Sequence, residues 1–104
     1  LPLAREAMDI YCAPWSGPVG QPACYRQIAQ MDQSFTDEVQ PSYARMDCEV
    51  TVLWGEKDEW LPPAQGAALA DLISDRPCIM IPRAGHLVQE DRPEAIVAAV
   101  LNRI

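Results

Sequence analysis

The chain has 104 residues, 49% of them apolar, and carries 15 acidic against 8 basic side chains, for a net charge of −7. That length fits one small domain and that apolar share fits a globular chain, which argues against disorder. The acidic balance argues against nucleic acid, which calls for a basic stripe, and against an anionic membrane surface; it reads as a solvated acidic exterior, not as a cation site.

Residues 2–11 predict a helix, with Leu3, Ala7 or Met8, and Ile10 or Tyr11 on one side. Pro14, Gly17, Pro18, Gly20 and Pro22 follow as a turn-rich stretch. A second helix is expected from about Pro22 to Met31, where Cys24 or Tyr25, Ile28 and Met31 recur at helical spacing. Residues 36–46 carry a weaker signal, a short helix around Thr36 to Gln40 that Pro41 interrupts.

The character changes at Cys48. Cys48-Glu-Val-Thr-Val-Leu-Trp54 is rich in β-branched and apolar residues and stops at Gly55, which predicts a strand. Pro62-Pro63 introduces a helix over 64–73, with Ala68, Leu69, Leu72 and Ile73 as its buried stripe. Cys78-Ile-Met-Ile81 predicts a second strand stopped by Pro82. It does not alternate, so both faces are expected to be covered, as in a parallel sheet between helices. A last helix is expected from about Pro93 to Arg103, where proline suits the first turn, with Ile96, Val97, Val100, Leu101 and Ile104 facing the core. Strand–helix–strand–helix from residue 49 onward is a right-handed crossover unit, and the fold class is therefore α/β.

Cys12, Cys24, Cys48 and Cys78 show no C-x-x-C spacing, and a single histidine is available to join them, so a zinc site is not expected. Reduced thiols in a cytoplasmic protein are the default, with Cys48 and Cys78 acting as small buried apolar residues at strand starts. No basic stretch leads into an apolar one as in a secretory signal, and no apolar run approaches the roughly 20 residues that span a bilayer.

Two strand exits carry the chemistry. Beyond Trp54 the chain breaks at Gly55 and presents Asp58; beyond Ile81 it presents Gly85 and His86, the only histidine. An acid followed by a histidine, each past a strand, is two thirds of a triad in the order Ser…Asp…His. If the strands are neighbours, both loops open on one sheet edge and the two side chains meet at hydrogen-bond distance, with Gly85 turning the backbone tightly before the histidine. Spacing alone leaves plainer readings beside this one. His86 also reads as a surface residue, and Asp58 as one acid of a solvated Glu56-Lys-Asp-Glu59 loop. Glu90 and Asp91 read as caps of the last helix, with Glu94 completing a capping box. Trp54 and Trp60 read as core and loop-packing residues.

Leu-Trp-Gly-x-x-Asp-x-x-x-Pro, ending at Pro62, resembles the acid-bearing loop of the α/β-hydrolase superfamily. Gly85-His86 with Glu90 and Pro93 resembles its histidine loop and the helix after it. The resemblance implies that residues 35–104 are the C-terminal part of that core, with its last two parallel strands, and that Asp58 is the catalytic acid and His86 the base. Residues 1–34, with Tyr11, Pro14-Trp15, Gly17 and Gly20, resemble the end of the helical cap of this superfamily. The His-Leu-Val-Gln-Glu-Asp-x-Pro run is similar to the subgroup of haloalkane dehalogenases and epoxide hydrolases, although other members carry close variants.

The nucleophile of such a triad is not expected in these residues. Ser16, Ser34, Ser42 and Ser74 all lack the Gly-x-Ser-x-Gly elbow, and no aspartate stands in one. The complete fold needs well over roughly 200 residues. The chain is therefore expected to be the C-terminal portion of a larger hydrolase and to be inactive alone. The resemblance implies a small-molecule substrate in the intact protein and no cofactor, since triad hydrolysis uses water and side chains. A small unit with an open parallel edge is expected to self-associate. The competing readings are a non-catalytic receptor or interaction module on the same fold and a free-standing α/β domain with an unrelated role.

Overall fold

The computed structural model describes residues 2–101. They form two compact units that divide between Pro41 and Ser42.

The first unit is helical. Helix α1 (Arg5–Cys12) leads through a 3₁₀ turn (Ala13–Trp15) into α2 (Gly17–Ala29), and α3 (Ser34–Asp37) follows. Helix α2 starts five residues before the expected Pro22 and runs through it. The proline removes one backbone donor, the partner of the Pro18 carbonyl, and the helix continues past the loss. Gly20 explains the early start: a methyl group there would strike the backbone of Pro14 and Trp15, so a bare α-carbon lets helix and turn touch. The expected apolar faces are covered in part: Leu3, Ala7 and Cys24 are half-buried. Met8, Ile10 and Tyr11 on α1, and Tyr25, Ile28 and Met31 at α2, stay exposed.

The short helix expected around Thr36 to Gln40 is α3, two residues earlier at its start. The second unit begins within a 3₁₀ segment (Gln40–Arg45) that contains Pro41. It continues as β1 (Leu53–Gly55), α4 (Pro63–Ile73), β2 (Ile79–Ile81), α5 (Val88–Asp91) and α6 (Pro93–Val100). The strands pair in parallel, Leu53 with Ile79, Trp54 with Met80 and Gly55 with Ile81, and α4 crosses between them. The Ile79 amide donates to the Val52 carbonyl at 2.9 Å and extends the ladder by one bond. Residues 48–52 were expected inside β1 but lie outside it. A strand is as long as its partner, and β2 offers three residues. Cys48 is accordingly exposed, while burial pushes the half-buried Cys78 thiol up.

The buried apolar side chains described are Val52, Ala70, Ile81 and Ala84. The face of α4 that packs is Gly66, Leu69, Ala70 and Ile73, one step from the expected Ala68, Leu69, Leu72 and Ile73. Gly66 sets this phase: its α-carbon lies on the Trp54 indole, where an added methyl would meet ring carbons at 2.5–2.7 Å. Apolar periodicity misses such a face because glycine brings no side chain to count. Met80 is 38% exposed between half-buried Ile79 and buried Ile81, so one face of β2 is open in these residues, contrary to the expected double covering. On α6, Ile96 is half-buried, whereas Val97, Val100 and Leu101 are exposed, contrary to the expected core face; residues 102–104, Ile104 among them, lie outside the described residues. Among the described residues no helix is long and apolar enough to cross a membrane.

Candidate active site

Beyond Gly55 and Ile81 the chains leave the sheet but stay tied. The Glu56 amide donates to the Ile81 carbonyl at 3.0 Å, and the Lys57 amide to the Ala84 carbonyl at 2.8 Å. These bonds carry the parallel ladder into both loops and bring the acid loop level with Gly85. Gly55 makes the approach possible. A methyl group there would overlap the Gly85 carbonyl oxygen and the Ala84 backbone. Between the ties the chain turns at Pro82-Arg83, where Arg83 holds a left-handed φ of 59°. Ala84, fully buried, follows it.

The acid loop closes on itself. The Asp58 amide donates to the Gly55 carbonyl at 3.2 Å. Asp58 Oδ1 accepts the Trp60 and Leu61 amides, each at 2.9 Å, the short-range turn that an aspartate favours. The Trp54 indole N–H donates to the Leu61 carbonyl at 3.1 Å and fastens the far end of the loop to β1. Pro63 then starts α4. Trp54 thus packs as expected, against Gly66.

Asp58 Oδ2 lies 3.0 Å from His86 Nδ1. The Asp58 side chain is 4% exposed and that of His86 34%. Burial alone pushes the Asp58 carboxyl up. The Leu61 amide, the His86 imidazole and the Trp60 amide outweigh it, and together hold the group below the usual aspartate range. An ionised carboxylate only accepts hydrogen bonds, so Nδ1 carries the proton of this pair. In the neutral ring Nε2 is then left with a lone pair. The two residues singled out by the sequence are therefore in contact, one buried and anionic, the other with a basic nitrogen turned away from it.

Two further residues complete the arrangement, and neither was assigned to it from the sequence. Trp60 is 75% exposed, yet its ring lies against His86, with centroids 4.6 Å apart and planes at 39°. It is not a buried packing residue. Asp91 Oδ2 accepts the Gly85 amide at 2.7 Å and pins the backbone just before His86. At the start of α6 the N-cap residue, Arg92, makes no side-chain cap bond, and Glu94 pairs with Arg92. Nor is Gly85 in a left-handed conformation, which among the described residues occurs at Gly17 and Arg83. What Gly85 contributes is an amide for Asp91 and a carbonyl that Gly55 can approach. The sequence cue for Asp91 is weak: an acid at the end of a single helical turn, where α5 folds back on the loop that precedes it.

A parallel crossover unit with an Asp–His pair beyond its strand ends is a pattern that can be matched. The sequence pattern of the Alpha/beta hydrolase family fits residues 3–99. The chain belongs to the alpha/beta hydrolase family. The crystal structure of an alpha/beta hydrolase fold protein from Burkholderia ambifaria is 55% identical and superposes on 99% of this chain with a TM-score of 0.91. The chain spans 38% of the length of that protein. No curated protein matches the sequence. The architecture is that of a partial α/β-hydrolase fold, helical with a short parallel two-stranded sheet.

Among the described residues, no group of three or more His, Cys, Asp or Glu stands close enough to hold an ion.

Proposed function

We propose that this chain carries the acid and base of an α/β-hydrolase triad, with Asp58 as acid and His86 as general base. The observation that carries the reading is the 3.0 Å bond between Asp58 Oδ2 and His86 Nδ1. In this role Nδ1–H stays with Asp58, and Nε2 takes the proton of the attacking group and returns it to the leaving group. Asp58 remains ionised throughout; it fixes the tautomer and steadies the imidazolium. The nucleophile and the donors for the developing oxyanion stand on chain outside these 104 residues, so this chain alone does not turn over. Residues 1–34 are the end of the family's cap, and 35–104 belong to its core. The run from His86 to Pro93 supports a place near the haloalkane dehalogenases and epoxide hydrolases, acting on a small organic substrate in the cytoplasm.

The test is His86→Ala in the intact hydrolase, beside the isolated chain. Turnover is expected to fall by orders of magnitude in the variant, and to be absent from the isolated chain. A variant with wild-type turnover refutes the assignment.

A further inference from the structure

A single hydrogen bond does not orient an imidazole. It fixes one ring atom and leaves the plane free to rock about the bond, because the last torsion of histidine is a broad, two-fold rotor. His86 keeps a third of its side chain exposed, so packing does not remove that freedom. What stands against its face is Trp60, at a centroid distance of 4.6 Å. Trp60 is itself held by Asp58, whose Oδ1 accepts its backbone amide at 2.9 Å while Oδ2 engages Nδ1 of His86. One carboxylate therefore fixes both the edge of the imidazole and the backbone of the residue whose ring lies against its face. The Leu61 amide on the same oxygen, and the Trp54–Leu61 bond behind it, prevent the Trp60 backbone from drifting away.

We propose that Trp60 is a positioning residue for His86: its indole limits the rocking of the imidazole plane about the bond to Asp58 and so fixes the direction of Nε2. The role rests on the triad reading above. It makes no use of proton transfer by Trp60 and needs no contact between Trp60 and substrate. A catalytic group displaced by about 1 Å can lose up to about 100-fold in rate, so restricting one ring matters even where the acid–base pair is intact.

His86 is the only histidine, which makes its ring protons assignable in the chain itself. Their resonances are expected to be displaced from free-imidazole positions by the indole ring current. Trp60→Leu should abolish the displacement and give averaged or doubled ring signals; Trp60→Phe should retain a single displaced set. Because Trp60 is exposed, the Leu variant is expected to fold, and the Phe variant supplies an independent reading if it does not. In the intact hydrolase, Trp60→Leu should lower kcat by about 10-fold with KM unchanged, and Trp60→Phe should recover most of it. Identical His86 spectra in the wild type and the Leu variant, or an unchanged kcat, overturn the proposal. Wild-type turnover in His86→Ala overturns it together with the triad reading. Loss of turnover in His86→Ala with none in Trp60→Leu removes Trp60 alone.

Discussion

The two oxygens of Asp58 have separate partners, and that division makes the residue testable in two ways. Asp58→Asn preserves the shape. Its carbonyl can still accept the Trp60 and Leu61 amides, but its NH₂ then faces His86 Nδ1. Nδ1 must become the acceptor, the proton moves to Nε2, and the lone pair needed for catalysis is lost. Nitrogen NMR of the single histidine should report the change of tautomer, and turnover in the intact hydrolase should fall by about 10⁴-fold, as when a triad aspartate is so replaced. The same carboxylate gives a pH signature. Its pKa lies below the ordinary value, so the folded chain binds fewer protons here than the unfolded one. The stabilisation is complete above the unfolded aspartate value, about 3.9, and disappears as pH falls through the lower folded value. Urea unfolding from pH 7 to pH 3 should show this loss in the wild type and a flatter profile in Asp58→Asn. Asp58 and His86 were legible in the sequence because Leu-Trp-Gly-x-x-Asp and Gly85-His86 resemble the family's two loops; position after a strand alone left Asp58 one of three acids in Glu56-Lys-Asp-Glu59. Trp60 and Asp91 were not, since their roles depend on which way two loops face each other, and spacing along one chain does not state that.

At the scale of elements, the site depends on how closely two backbones approach. Gly55 sits where an added methyl would overlap the Gly85 carbonyl oxygen, and that atom belongs to rigid backbone rather than to the tip of a flexible side chain. Gly55→Ala should therefore cost about 1–3 kcal/mol, in the range of overpacking, and should push the histidine loop off the acid loop. Gly66→Ala would press its methyl on the Trp54 indole, a ring tied to the Leu61 carbonyl, and the roughly 1 kcal/mol from alanine's better helix propensity offsets only part of that clash. It should also destabilise, but because the clash falls on α4 and not on the histidine loop, it should leave the His86 spectrum closer to wild type. Thermal unfolding and histidine NMR of the two variants separate these outcomes; equal disturbance of His86 by both would contradict the account. These glycines also show why element types were legible and their faces less so. Strand, helix and crossover follow from β-branched runs, prolines and helical spacing. The packing face of α4 follows from an absent side chain, and the length of β1 follows from the length of β2.

For the whole molecule, the apolar pattern of the sequence describes more surface than these residues cover. Val97, Val100 and Leu101 at α6 match a core face by spacing, yet are 56%, 79% and 58% exposed, and Met80 stands open on β2. The periodicity marks these positions as apolar; it does not state what covers them. A two-stranded sheet also leaves each strand with one partner and one outer edge among the described residues. Such edges and apolar faces favour pairing with another chain, and we propose that this chain associates with itself through the sheet edge. The net charge of −7 opposes that step. Like-charged copies repel over about 10 Å at 0.1 M salt and over about 3 Å at 1 M, while apolar burial is not screened. Association should therefore strengthen with protein concentration and with added salt, the opposite of assembly through ion pairs. Light scattering over a wide concentration range, at low and high ionic strength, reads both dependences. A monomer throughout would refute self-association, and a mass that falls as salt is added would assign it to charge rather than to the open edge.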